Sequence, residues 1–406
     1  MGATTHEEAP HMLQRIRQSY EHTIYASYLG YITQAVINNF APLLFLTFAS
    51  SFGLSLDQIT LITTINFLVQ LGVDLISAKV VDRIGYRPCI IAAHITCAAG
   101  LIGLAVLPST MSPYAGIMIA VVLYAIGGGI IEVLISPIVE ACPTKKKEAA
   151  MSLLHSFYCW GHVFLVVVST AFFAIFGIGS WPVLACLWAL IPLFNTFYFS
   201  LVPIYPIVAE EEKKMSITGL FKQKVFWLLM VLMVCAGASE QAMSQWASAF
   251  AESGLKVSKT MGDLAGPCAF AILMGTARAL YGKFSEKIPL KQFMMGSAAL
   301  CVCCYLVAAF SGNPLFALLG CAVCGFSVGI FWPGTFSMGA LALPTGGTAM
   351  YALMALAGDL GCSSGPTVVG LVANATGGVL QNGLLVAMIF PILILIGLPL
   401  MKQKKS

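Results

Sequence analysis

The apolar residues of this chain fall into runs about 20 residues long, parted by short polar breaks, and a helix of that length crosses a hydrocarbon core of roughly 30 Å. Hydrophobic residues make up 59% of the 406 positions and charged residues only 9%. A water-exposed surface needs roughly 25% charged residues, so lipid must cover this one. Backbone groups cannot stay unpaired in lipid, and the runs lack strand-like alternation, so helices are expected and barrel strands are not. The fold class that follows is an all-α membrane protein.

Helices are expected near 24–49, 58–81, 88–107, 113–141, 150–177 and 180–203, then near 225–251, 261–283, 290–311, 314–342, 347–375 and 379–401. This gives a tail at 1–23, a front bundle at 24–203, a polar linker at 204–224, a rear bundle at 225–401 and a tail at 402–406. The stretch from Met1 to Glu21 is polar and leads straight into the first run, so no cleavable signal peptide is expected. With this map Arg15, Arg17, Arg83, Arg87, Lys145, Lys146, Lys147, Lys213, Lys214, Lys222, Lys224, Lys283, Lys287, Lys291, Lys402, Lys404 and Lys405 share one side. Only Lys256 and Lys259 fall in loops on the other. Positive-inside bias then places both termini in the cytoplasm of a multi-pass plasma (cytoplasmic) membrane protein, and an even number of spans is required.

The halves resemble each other at a near-constant offset. Ala78-Lys-Val-Val-Asp82-Arg83-Ile84 matches Gly282-Lys-Phe-Ser-Glu286-Lys287-Ile288, Gly129-Ile130 matches Gly329-Ile330, and Ala150-Met151 matches Ala349-Met350. Two pseudo-symmetric six-helix bundles, twelve transmembrane helices in all, are the expected architecture, and such repeats rock around a central site.

Ala78-Lys-Val-Val-Asp82-Arg83-Ile-Gly85-Tyr86-Arg87 resembles the Gly-x-x-x-Asp-Arg-x-Gly-Arg-Arg loop of the major facilitator superfamily, with Ala for the first Gly and Tyr for the first Arg of the final pair. The resemblance implies a cytoplasmic latch built on Asp82, Arg83 and Arg87. Positive-inside anchoring is the simpler role for the same residues. Within the superfamily, Gly127-Gly128-Gly129-Ile-Ile-Glu132-Val-Leu-Ile-Ser136-Pro137 resembles the Gly-x-x-x-Glu-x-x-x-Asn-Pro pattern of the fucose-galactose-glucose proton symporters. Leu154-His155-Ser156-Phe157-Tyr158-x-x-Gly161 and Glu240 followed by Trp246 are similar to their fifth- and seventh-helix patterns. Ser136 stands for the expected Asn, and Asn38 stands where those symporters carry an Asp, so one proton-responsive carboxylate of that family is missing.

An ionised carboxylate in mid-membrane costs several kcal/mol unless it is paired, wet or protonated. Glu132 is flanked by Ile131, Val133, Leu134 and Ile135. A site whose charge changes with access to either face is what proton coupling requires, so Glu132 is expected to respond to protons or to accept substrate hydroxyls. Glu240 is the second such group. Gln241 and Gln245 lie one turn apart beside Trp246, and Gln34 and Asn38 repeat that spacing with Asn39 alongside. Amides offer donors and acceptors to sugar hydroxyls, and an aromatic face suits the C–H face of a pyranose. The resemblance implies that helices one, four, seven and ten line the cavity, which adds Trp332. Interhelical hydrogen bonding is the other use of such amides. Imidazole titrates near neutrality, so His155 and His162 are proton-relay candidates. Asp74 and Arg278 hold matching positions in the two halves and, with Asp359, are expected in gating ion pairs.

Most of the 13 cysteines lie within apolar runs and are expected to be reduced packing residues. Gly127-Gly128-Gly129 lacks the preceding strand and following Lys-Ser/Thr of a phosphate loop, so helix packing or bending is expected there. No metal cluster, nucleotide motif or nucleophile-base set is present, so neither an enzyme nor ATP-driven transport is expected, and nucleic acid is no partner. The leading reading is a monomeric, cofactor-free secondary transporter of a small polar solute, a sugar above all, coupled to H+, with Na+ kept as the other coupling ion. A drug or metabolite efflux antiporter and a non-transporting solute sensor are the alternatives. Reporters fused into the 107–113 and 143–149 loops test the orientation: cytoplasmic signal is expected from the second alone, and from the first it overturns the map.

Overall fold

The computed structural model describes residues 14–144, 147–205, 215–284 and 288–401, and all the regular structure in them is helical. Twelve long segments follow one another: α1 (Tyr20–Phe52), α2 (Leu56–Ile84), α3 (Tyr86–Thr110), α4 (Pro113–Glu140), α5 (Lys147–Phe176) and α6 (Trp181–Leu201). Then come α7 (Lys224–Gly254), α8 (Lys259–Tyr281), α9 (Leu290–Phe310), α10 (Pro314–Ala342), α11 (Gly347–Ala375) and α12 (Leu380–Leu400). Among the described residues, eleven segments are long and apolar enough to cross a membrane. The exception, α11, has the length at 29 residues but carries Asp359, Ser363, Ser364 and Thr367 in mid-helix. Each expected helix is present, and α11 has the expected limits. The polar 204–224 stretch holds a further short helix, Ile217–Phe221, capped where the Ser216 hydroxyl accepts from the Gly219 amide at 3.1 Å. Five residues are too few for a periodic pattern, so the sequence gives no sign of it.

The helices pack into two compact units. Unit 1 comprises Met1–Asn38, Gly72–Gly161 and Gly179–Glu210; unit 2 comprises Asn39–Leu71, His162–Ile178 and Glu211–Ser406. In unit 1, α3 and α4 approach closely enough that a Cβ on Gly127 would land on the Ala93 carbonyl. Packing is thus one role of the triple glycine. In unit 2, α7 and α11 meet the same way: a Cβ on Gly365 would lie 2.5 Å from the Ala238 carbonyl oxygen. Close backbone approach of this kind substitutes for the hydrophobic driving force that lipid removes.

Several helices are interrupted, and proline explains two of the breaks. Pro42 is the second residue of a 3-10 turn, Ala41–Leu44, that divides α1 into Tyr20–Asn39 and Phe45–Phe52. In α10 the helix stops at Val328 and resumes at Phe331. Pro333 has no N–H to give the carbonyl four residues back, which is that of Gly329. The Gly129-Ile130 counterpart in α4 has Val133 at that position, and α4 runs unbroken through it and through Pro137. The repeat in sequence is therefore not a repeat in backbone at this point. Further along, α7 ends in a π-helical turn at Phe250–Gly254 and α8 contains one at Leu264–Cys268.

The loop motif between α2 and α3 has a local reason for its glycine. Gly85 sits at φ 95°, ψ 157°, a conformation that side chains resist. The turn sends Arg87 onto the end of α6, where its guanidinium donates to the Phe199 and Ser200 carbonyls at 2.7 and 3.1 Å. A cation there also faces the negative end of the helix dipole. Gly85→Ala is expected to cost about 1–3 kcal/mol through backbone strain alone, read as a lowered midpoint of thermal unfolding in detergent.

Candidate functional site

Unit 1 gathers its interior polar groups where α1, α2 and α4 meet. The Gln34 amide donates to Glu132 Oε2 at 3.1 Å. Asp74 brings a second carboxylate, its oxygen within 4.8 Å of one on Glu132. Gln34 is buried, and Asp74 and Glu132 are half-buried. One turn along α4, the hydroxyls of Ser136 and Tyr31 lie 3.0 Å apart, so the serine that replaces the expected asparagine still reaches α1. The His155 ring lies 5.3 Å from that of Tyr31, and its side chain is exposed. His162, two turns on in sequence, belongs to unit 2 and is buried. Asn38 is buried near the end of the first piece of α1.

Two carboxylates this close repel when both are ionised. A glutamine that donates to one of them orients it without neutralising it. The carboxylate oxygens are acceptors for hydroxyl donors.

Unit 2 holds a longer chain of polar groups along α7. Gln245 Nε2 donates to Gln241 Oε1 at 3.0 Å, and Gln241 Nε2 in turn donates to Glu240 Oε1 at 3.3 Å. Gln245 also reaches Asn39 Oδ1 at 3.5 Å. Across from them, the Arg278 guanidinium of α8 faces Glu240 at 3.7 Å. Its Nε donates at 3.1 Å to the carbonyl of Gly329, the one Pro333 strips of its helical donor. One side chain thus repairs the break in α10 and supplies the counter-charge for the buried acid of α7. Sequence places Arg278 among gating pairs; the structure gives it Glu240, a candidate binding residue, as partner.

Asp359 on α11 is buried. The indole of Trp332 packs against the backbone next to it, where a Cβ on Gly358 would collide with the ring. Trp246 is 1% exposed, packed against Phe45, with its indole N–H donated to the Pro366 carbonyl at 2.9 Å. Both ring and N–H are therefore committed to packing, which leaves Trp246 as wall and not as a stacking face. Arg83 is exposed, and the side chain of Asp82 lies outside the described residues.

Two clusters escape the sequence reading. His94 of α3 is fully buried, with Nδ1 2.7 Å from the Ile90 carbonyl and Nε2 2.8 Å from Asn195 Nδ2 of α6. The carbonyl assigns the proton to Nδ1, so Nε2 accepts from Asn195, which also donates to the Ala26 carbonyl of α1 at 3.0 Å. This clamp ties three helices without a charge. The second cluster surrounds Lys259, which starts α8 behind a Ser258 cap; it is a partly buried helical residue and not the loop residue expected.

No curated protein matches this chain in sequence. Among solved structures, a D-xylose-proton symporter shares 14% identity, with 94% of this chain and 97% of that chain covered and a TM-score of 0.76. A bacterial homologue of the human lysosomal transporter Spinster, inward-facing and unoccupied, gives 13%, 95%, 97% and 0.76 for the same quantities. The superfamily transporter FucP in its outward conformation gives 14%, 94%, 99% and 0.64. These likenesses establish the fold. The sequence profile of the Major Facilitator Superfamily matches residues 27–366, most of the length, and the chain belongs to that superfamily.

Proposed function

We propose that this multi-pass membrane protein is a proton-coupled symporter of a monosaccharide or similar small polar solute, working by alternating access with both termini in the cytoplasm. The observation that carries the reading is the Gln34-held carboxylate of Glu132 beside that of Asp74. Asp74 supplies a second acid where the sequence lacks the first-helix carboxylate of the resembling symporters, so a proton site remains although Asn38 is neutral. The solved structures of similar fold include D-xylose- and fucose-proton symporters. That likeness supports the substrate class without assigning it.

In this reading Glu132 and Asp74 hold the coupling proton, and Gln34 orients them. Glu240, Gln241 and Gln245 present alternating acceptors and donors to solute hydroxyls, with Asn38, Asn39 and Trp332 as further contacts. Arg278 holds Glu240 in place, so the solute meets an acceptor that is already oriented and loses less entropy on binding. His155 relays protons to the Glu132 region from its exposed position near Tyr31. H+ is the coupling ion; the same two acids would also serve Na+, and uptake at fixed pH in a sodium gradient distinguishes the two.

Glu132→Gln is expected to abolish accumulation driven by a pH gradient while leaving counterflow of a labelled monosaccharide intact in proteoliposomes. Unchanged accumulation removes Glu132 from coupling, and gradient-driven efflux of a cationic dye without sugar counterflow would favour an antiporter. Arg278→Ala strands Glu240 without its counter-charge, so it is expected to cost about 3 kcal/mol of stability. Adding Glu240→Gln to that variant should restore most of the loss. Thermal unfolding with and without the second change reads both.

A further inference from the structure

The turn joining α7 to α8 carries a charged cluster outside the site described above, at the end assigned by the Lys/Arg asymmetry to the outer face. The ammonium of Lys259 lies 2.6 Å from the carbonyl oxygen of Leu43, 3.1 Å from Asp263 Oδ2 and 3.3 Å from Glu252 Oε1. Asp263 is fully buried and accepts a further hydrogen bond from the Ser248 hydroxyl. The ring of Phe173 closes another side, its centroid 5.9 Å from Nζ. Leu43 belongs to the 3-10 turn that breaks α1. Glu252 lies within one π-helical turn, and Asp263 immediately precedes the other. Such turns recur at functional sites because the extra residue in the turn gives the helix a place to rearrange.

Two carboxylates bind this ammonium whether or not Leu43 is present, so the lysine stays neutralised when α1 leaves. What it loses on separation is one charge-assisted hydrogen bond, strong enough to bias the helix yet weak enough to break in every cycle. We propose that Lys259 is a positioning residue for transport: it fastens the outer piece of α1 to the α7–α8 turn and sets how often that end opens. The proposal rests on the alternating-access reading, but not on the identity of the solute or ion.

The test follows opening directly and needs no substrate. Thr64 on α2 shares a hydrogen bond with Thr367 on α11 in the same unit, so Thr64→Cys reports exposure of this end. In cells carrying that variant, with exposed Cys186 and Cys303 changed to Ser, a membrane-impermeant maleimide is added from outside. Combining Lys259→Met with Asp263→Asn removes the ammonium without stranding a buried acid. It is expected to speed labelling about tenfold, the scale of one charge-assisted hydrogen bond. Lys259→Arg, which retains the charge, is expected to label at close to the parent rate. Equal rates in the double variant and the parent overturn the latch, as does an Arg variant that labels as fast as the double. Should the double variant fail to reach the membrane, Glu252→Gln carries the test, because it loosens the ammonium and leaves Asp263 to neutralise it. Faster labelling then supports the latch, and an unchanged rate overturns it.

Discussion

A charge placed in hydrocarbon must bring its partner with it, and this protein is organised around the places where that happens. Ion pairing alone is costly in such a medium; it succeeds where hydrogen bonds satisfy the remaining donors and acceptors. The Glu240–Arg278 pair meets the condition because Gln241 serves the acid and the Gly329 carbonyl serves the guanidinium. The Lys259 cluster meets it through the Leu43 carbonyl and the Ser248 hydroxyl. In unit 1 the Gln34 amide donates to Glu132.

The same economy governs the backbone. A freed carbonyl inside a membrane needs a donor, and here the side chain of Arg278 supplies one to Gly329. Pro333 therefore does more than bend α10. It creates an acceptor that holds a cation in the interior, where a continuous helix would have offered it nothing.

Much of this was legible in the sequence. Length and apolarity fix the helices because lipid leaves the chain no other regular structure, so the limits of α3, α4, α9 and α11 lie within a few residues of those expected. Glu132, Glu240, Gln34, Gln241 and Gln245 stood out because polar groups are rare in such runs, and the structure joins them into two connected sets. What stayed hidden depends on partners far away in the chain. The partners of Arg278 were not legible because two of them, Glu240 and Gly329, lie far from it in the chain. Trp246 read as a stacking surface because aromatic character is visible and burial is not. Lys259 read as a loop lysine because charge marks a boundary in hydropathy, and nothing local announces that Glu252 and Asp263 will enclose it. His94 attracted no notice since its partner Asn195 lies about a hundred positions later.

The break in α10 has a mechanical meaning. Where a helix is interrupted, its two pieces can hinge, and the carbonyl at the joint moves as they do. That carbonyl belongs to Gly329, and the guanidinium bound to it also faces Glu240. Arg278 is thereby a strut with one foot on a joint and the other on an acid, so a bend in one helix is felt as a change of electric field at another.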